Sequence, residues 1–269
     1  MSEIAISSLY ALAVMLAMGV ITWLYSLYRS DVSVVDSLWS LMFLAGAISY
    51  LTFANDYSTR NMLLLTLVAL WALRLSIFLT IRNWNKEEDR RYREIRANNE
   101  PHFWLKSLYI IFGLQAVLAW IISTPLLLSF SASTGIGAIE MIATTLWAAG
   151  FLYESIADLQ LYRFKLNSAN NGKVLDSGLW AYSRHPNYFG ECLIWWAYFL
   201  FALSAGAWWT VFSPILMTLL LLKVSGVSLM EKGITERRAD YRRYIETTNA
   251  FVPGRPRHGS VYIERGQQS

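Results

Sequence analysis

Residues 4–28 read IAISSLYALAVMLAMGVITWLYSLY, with no charged side chain among them. A helix needs about 20 mostly apolar residues to cross a hydrocarbon core about 30 Å thick, so this run is long enough to span one. It lacks the basic start of a secretory signal and is longer than a signal core, which predicts an uncleaved first helix. Six further stretches follow at 32–53, 61–81, 103–127, 136–157, 189–205 and 208–229, the sixth of the seven being short. The composition agrees: of 269 residues, 55% are apolar and 16% charged, which is the balance of a membrane protein. The expected fold class is all-α, a polytopic membrane protein of about seven transmembrane helices over residues 1–229. A cytoplasmic basic amphipathic tail is expected over 230–269. The single cysteine, Cys192, excludes an intrachain disulfide and any multi-cysteine metal site.

Lys and Arg accumulate in cytoplasmic loops. With seven helices, one set of connections comprises the turn at 29–31, the 82–102 loop, the 158–188 loop and the tail. That set holds 20 of the 23 Lys and Arg, counting Lys106 with its neighbouring loop, and the opposite set holds only Arg60. This asymmetry predicts a cytoplasmic C-terminus and an N-terminus outside. The tail carries Lys232, Arg237, Arg238, Arg242 and Arg243 among Tyr241, Tyr244 and Phe251. Such a segment either lies on anionic lipid or caps a cytoplasmic anion site. Pro253 and Pro256 end it.

Charges within a bilayer are costly and face the protein interior. Asp36 lies in the second stretch, Arg74 in the third, and Lys223 in the seventh. Glu154 and Asp158 end the fifth, four residues apart and so on one helix face. Glu191 follows Asn187 by the same interval. Each of these groups has a bland reading, an ion pair that fixes packing; Asp36 with Arg74 is one such pair. Taken together, all but Lys223 lie near the cytoplasmic ends of their helices, which predicts a polar, cytoplasm-facing cavity.

The segment 177–191, SGLWAYSRHPNYFGE, is the richest in chemistry. Gly178 suits a turn, and Pro186 suits the first turn of a helix, where its missing N–H costs nothing. The free N–H groups of that helix start, with Arg184 and His185 beside them, make a candidate phosphate site. The alternative is an ordinary capped helix with Arg184 reaching to head groups. Asn187 and Glu191 share a face and can bond an amide or a ribose. The 82–102 loop is dense in both charges and reads as a solvated face, with Arg82 and Asn83 at the helix end placed to reach a ligand. There is no glycine-rich fingerprint of a soluble nucleotide domain. His102, His185 and His258 are too irregularly spaced for a metal site.

The stretch SRHPNYFGE at 183–191 resembles the C-terminal signature of the steroid 5α-reductase superfamily, and is most similar to its bacterial branch. The resemblance extends through VVDSLW at 34–39, LWALRLSIFLTIRN at 70–83, EDRRYREIR at 88–96, YESIADLQLYRFK at 153–165 and the tyrosine-rich tail ending in FVP. It implies a seven-helix membrane fold in a bacterial inner membrane, holding NADPH in a cytoplasm-facing cavity. The reaction implied is reduction of a carbon–carbon double bond conjugated to a ketone. By position, Asp158, Asn187 and Glu191 fall on cofactor-contacting residues. Arg74, Arg82, Asn83, Glu154, Lys165, Tyr182, Arg184, His185 and Tyr241 join them as companions. Steroid reductases carry a Gln-Glu pair in the second helix and a Tyr in the third as ketone-binding acids. Here Asp36 is the nearest carboxyl group and Trp71 falls near the Tyr position, departures that bear on steroid specificity. The RHP-x-Y-x-G pattern is also similar to isoprenylcysteine carboxyl methyltransferases, which bind S-adenosylmethionine; that is the alternative enzyme class. A lipid or ligand transporter is the non-enzymatic alternative, though no internal repeat or paired broken helix supports it.

On the reductase reading, an apolar enone enters from the bilayer and the cofactor delivers a hydride to its β-carbon. A protonated group must then stabilise the charge growing on the carbonyl oxygen. Asp36 is the expected donor and Tyr188 the substitute. Membrane lipids and an apolar small molecule are the expected partners, with no nucleic acid.

Overall fold

The computed structural model describes residues 2–225 and 239–257. Every regular element among these is helical. They belong to two compact units, Met1–Ala143 with Tyr198–Ser213, and Thr144–Ala197 with Pro214–Ser269. The boundary expected at 229–230 lies outside the described residues, as do Lys232, Arg237, Arg238 and His258.

The first unit contains α1 (Glu3–Arg29), α2 (Val35–Ala54, entered through a 3-10 turn at Val32–Val34), α3 (Thr59–Asn83), α4 (Arg90–Asn98), α5 (Phe103–Ser107), α6 (Leu114–Ile122) and α7 (Thr124–Phe130). Short polar side chains start several of them. Ser2, Asp31, Ser58 and Asp89 each accept a backbone N–H from the first turn that follows, satisfying donors that a helix leaves free. Helices α1 and α2 close on Ser30 and Asn55, both left-handed at φ 53° and 49°. Helix α2 lies at the centre, packed against α1, α3, α6 and α7. Gly46 permits the α1 contact, because a Cβ there would stand 2.6 Å from the Met15 methyl.

Among the described residues, four helices are long and apolar enough to cross a membrane: Glu3–Arg29, Val32–Ala54, Thr59–Asn83 and Phe103–Ile122. Helix α1 leaves Leu9, Ile21 and Leu24 exposed, a surface that water penalises and lipid accepts. The described residues are thus all-helical, with apolar helices of the kind a membrane protein has. The stretch expected as one helix over 103–127 is in fact divided. A π-helical turn, Leu108–Gly113, joins α5 to α6, and a second break falls at Ser123, ahead of Pro125 in the first turn of α7. Proline cannot continue the hydrogen-bond ladder.

Arg60, expected in an outer loop, is instead inside α3 and 1% exposed. Its guanidinium pairs with Glu140 (3.1 Å) and donates to the carbonyls of Ser129 (2.9 Å) and Phe201 (2.7 Å) and to the Ser204 hydroxyl (3.0 Å). A buried cation persists only when its donors are met in this way.

The second unit holds most of α8 (Ala138–Leu166), α9 (Pro186–Ser204) and α10 (Phe212–Leu219), and all of α11 (Ala239–Thr247). Helix α8 continues to Leu166 rather than ending at 157, since no Gly or Pro interrupts 151–166. Glu154 and Asp158 are thus interior to it, a correction to their expected place at its end. Helix α9 begins on Pro186, as its sequence predicts. Helices α8 and α9 cross at two glycines. A Cβ on Gly190 would meet Glu154 N at 2.6 Å and Gly150 O at 2.7 Å, and one on Gly150 would meet Gly190 O at 2.7 Å.

Candidate functional site

The glycine crossing in the second unit determines which polar groups meet. Backbones that approach this closely bring the inward face of α8, with Glu154 and Asp158, against the first turns of α9, with Asn187 and Glu191. Asn187 Nδ2 donates to Asp158 Oδ1 at 3.1 Å. One turn further along α9, Trp195 Nε1 donates to Glu191 Oε1 at 3.0 Å. Glu154, Asp158 and Glu191 are 3, 5 and 5% exposed. Three buried carboxyl groups and an amide within two helical turns form a set of acceptors, suited to a ligand that brings hydroxyl or amide N–H donors.

The segment leading into α9 is fixed by hydrogen bonds. Gly178 is left-handed at φ +62°, and a Cβ there would strike the Gln160 side chain, whose Oε1 receives Leu179 N–H at 3.0 Å. Trp180 Nε1 donates to Ala157 O at 3.0 Å, and Tyr244 O–H donates to Trp180 O at 2.5 Å. Ser183 O–H donates to Phe251 O at 2.7 Å, and Phe251 packs edge-on to Phe189 at 5.8 Å. Arg184, expected as a phosphate ligand, is buried and bonded to the backbone. Its Nη1 donates to Ile245 O (3.0 Å) and Thr248 O (2.5 Å), the carbonyls at the end of α11. Those carbonyls have no partner within their own helix, and a cation is their natural cap. His185 is buried, with its ring stacked parallel on Tyr188 at 5.6 Å. Tyr241 is buried against Tyr244, whereas Tyr182 and Lys165 are exposed.

The remaining expected residues belong to the first unit. Asp36 meets Arg91 rather than the Arg74 expected. Arg91 Nη2 donates to Asp36 Oδ2 at 3.0 Å and Tyr92 O–H to Oδ1 at 2.6 Å. Gln115 Nε2 donates to the Tyr92 hydroxyl oxygen at 3.4 Å. Burial, then the Asp36 charge, hold the Tyr92 hydroxyl well above its usual range, so it stays protonated. Trp71 is wholly buried, between Phe43 (5.8 Å) and Tyr198 (6.2 Å). Arg82 donates to the neighbouring Asn83 side chain at 3.1 Å and lies over Phe78.

The charged loop keeps Lys86, Glu87, Arg90, Arg93 and Glu94 exposed, as a solvated face should, while Glu88, Arg91 and Arg96 are partly buried. Glu88 accepts Val32 N–H (2.9 Å) and both donors of Arg96 (3.0 and 2.7 Å), while Arg96 sits 4.5 Å over the Phe103 ring. Sequence reasoning passed over Glu88, Arg91, Tyr92, Arg96 and Gln115. The available signals were Asp89 as a helix cap and Tyr92 as the one aromatic in a run of charges.

Residues 22–248 match a family described as a protein of unknown function, DUF1295. The chain belongs to that family. The DUF1295 match spans every expected site residue from Asp36 to Tyr241. An uncharacterized protein of Schizosaccharomyces pombe is 26% identical, the similarity covering 88% of this chain and 76% of that one. No solved structure matches significantly. Among the described residues no group of His, Cys, Asp and Glu could hold a metal ion.

Proposed function

We propose that this DUF1295 protein is a membrane-embedded, NADPH-dependent reductase of a conjugated carbon–carbon double bond in an apolar enone resembling a 3-oxo-Δ4 steroid. The observation that carries the reading is the Asn187–Asp158 hydrogen bond, with buried Glu191 one turn beyond. These are the three positions that the steroid 5α-reductase resemblance assigns to the cofactor. Their chemistry fits: carboxyl oxygens accept from ribose hydroxyls, and an Asn side chain matches a carboxamide. Glu154 belongs to the same face. Exposed Lys165 is a second-unit cation for phosphate, and Arg184 and His185 stay proposed companions of the cofactor. When bound, the cofactor would supply a hydride. Asp36, expected as the acid, belongs to the first unit, where it accepts from the Tyr92 hydroxyl and from Arg91. Buried Trp71 supplies an apolar wall, and Tyr188 orients His185 by stacking.

The proposal includes seven spans and a cytoplasm-facing cavity. Supporting it, α8 (29 residues) and α9 (19 residues) are about 44 and 28 Å long at 1.5 Å per residue, lengths that can cross a bilayer although their polar faces lower their apolarity. The test is ligand-dependent melting of the purified protein. NADPH should raise the melting temperature, and NADH should do so less, because a ligand bound only to the folded state stabilises it. Asn187→Ala should weaken NADPH binding by about 1–3 kcal/mol, the cost of leaving a buried partner unmet. Stabilisation by S-adenosylhomocysteine with none from NADPH would replace this reading with the methyltransferase one.

A further inference from the structure

A cavity of about 280 Å³ opens in the first unit between the ends of α1 and α3, over the start of α2. Its lining residues include Arg29 and Asp31, Thr22, Ser37 and Ser76, and Asn83. Asp36 is not among its walls. Several helical Ser and Thr satisfy their hydroxyls on the carbonyl four residues back, as Ser49, Thr52, Thr66 and Ser155 do. Thr22, Ser37 and Ser76 make no such bond among the described residues. Arg29 and Asp31 carry opposite charges, yet neither forms an ion pair with any described residue. One Asp31 oxygen takes the Ser33 amide and hydroxyl at 2.8 and 2.5 Å, leaving the other without a partner among them. Tyr25 and Trp84, at the rim, are 48% and 65% exposed. Exposed aromatic residues at helix ends mark the head-group level of a bilayer.

We propose that this cavity binds a zwitterionic phospholipid head group of the phosphate–ammonium type, as in phosphatidylethanolamine. The phosphate meets Arg29 and the Ser37 and Ser76 hydroxyls, and the ammonium meets Asp31. The paired but separate charges argue against a purely anionic head group, which Asp31 would repel. The open side at head-group depth leaves the acyl chains in lipid. This site is independent of the reductase reading.

Native mass spectrometry of the detergent-purified full chain, stripped of lipid, tests it. Phosphatidylethanolamine should be retained about tenfold more tightly than phosphatidylglycerol, in line with a single charge-assisted hydrogen bond. Arg29→Ala should lower phosphatidylethanolamine retention by a similar factor. Asp31→Asn keeps the oxygen that caps Ser33 and should abolish the preference over phosphatidylglycerol. Ser37→Ala with Ser76→Ala should weaken retention of both lipids. Glycerophosphoethanolamine, which has no acyl chains, should fail to compete at equal concentration; if it competes, the site is one for a soluble phosphate ester and the lipid assignment is wrong. Equal retention of the two lipids by the parent, or unchanged phosphatidylethanolamine retention in both charge variants, would overturn the proposal.

Discussion

Asp36 has both carboxylate oxygens occupied, one by Tyr92 at 2.6 Å and one by Arg91 at 3.0 Å. A hydrogen bond to a charged group contributes about 1.5–3 kcal/mol, and the two mutations that remove its ends should not add. A double-mutant cycle of Asp36→Asn and Tyr92→Phe, read by thermal melting, is therefore expected to show a coupling of about 1–3 kcal/mol. If the two effects add, the hydroxyl and carboxylate do not act as a pair. Asp89, which caps α4, makes a prediction about pH. Burial alone would raise its carboxyl, but the Arg91 charge, two hydrogen bonds from Arg91 and the Arg82 charge outweigh it and hold the group below its ordinary value. A carboxyl depressed in the folded state stabilises the fold above its unfolded pKa and loses that contribution as pH falls through the folded value. The stability difference between parent and Asp89→Asn should accordingly be present at neutral pH and vanish in acid below the ordinary aspartate range. A difference that persists there would show that the cap, which Asn retains, is not what the charge supports.

At the scale of elements, Arg184 joins two segments far apart in sequence. Its guanidinium closes the C-terminal carbonyls of α11, and its own N–H donates to Asn249 O at 2.9 Å. Tyr244 and Ser183 complete the clasp from either side. Arg184→Ala should destabilise the docked α11 by about 2–4 kcal/mol, because two buried carbonyls lose a charged donor. Limited proteolysis after residue 239 is the readout, and Arg184→Lys, lacking the planar fork, should recover only part of the protection. If Arg184→Ala resists protease as the parent does but loses NADPH affinity steeply with salt, Arg184 is a phosphate ligand after all. The salt dependence separates the two outcomes, since a buried clasp is screened little and an exposed phosphate contact strongly.

For the whole molecule, the decisive question is the parity of its spans. Four crossing helices leave both termini on one side, and seven leave them on opposite sides. The loop charges predict a C-terminus on the cytoplasmic side. On the proposed seven spans, a fluorescent protein fused at the C-terminus should fluoresce inside the cell, while alkaline phosphatase fused ahead of α1 should be active outside. Both termini reporting the same side would reduce the count to an even number and would require redrawing the cavity. The burial of Arg60 in the structure strengthens the charge argument, because the one exception to the loop asymmetry is a packed ion pair with Glu140 and not a loop charge.

Helix positions were legible because they depend on a local property: an apolar run long enough to cross a bilayer is recognisable without knowing its neighbours. Pro186 and Gly178 were legible for the same reason, since a helix start and a left-handed turn each depend on one residue's backbone freedom. The grouping of Asp158, Asn187 and Glu191 came from their spacing and from resemblance, but the contact between Asn187 and Asp158 depends on Gly150 and Gly190 letting two helices approach. Partner choice was not legible. Asp36 had cations available at many positions, and whether it met Arg74 or Arg91 depended on how the 82–102 loop folds back, through Glu88 binding Val32 N–H and Arg96. Arg184 likewise reads as a ligand-binding cation in sequence and becomes a helix cap only because α11 presents its open carbonyls to it. Ion pairs and caps are chosen by which groups the backbone brings within about 3 Å, and that distance exists only in the tertiary structure.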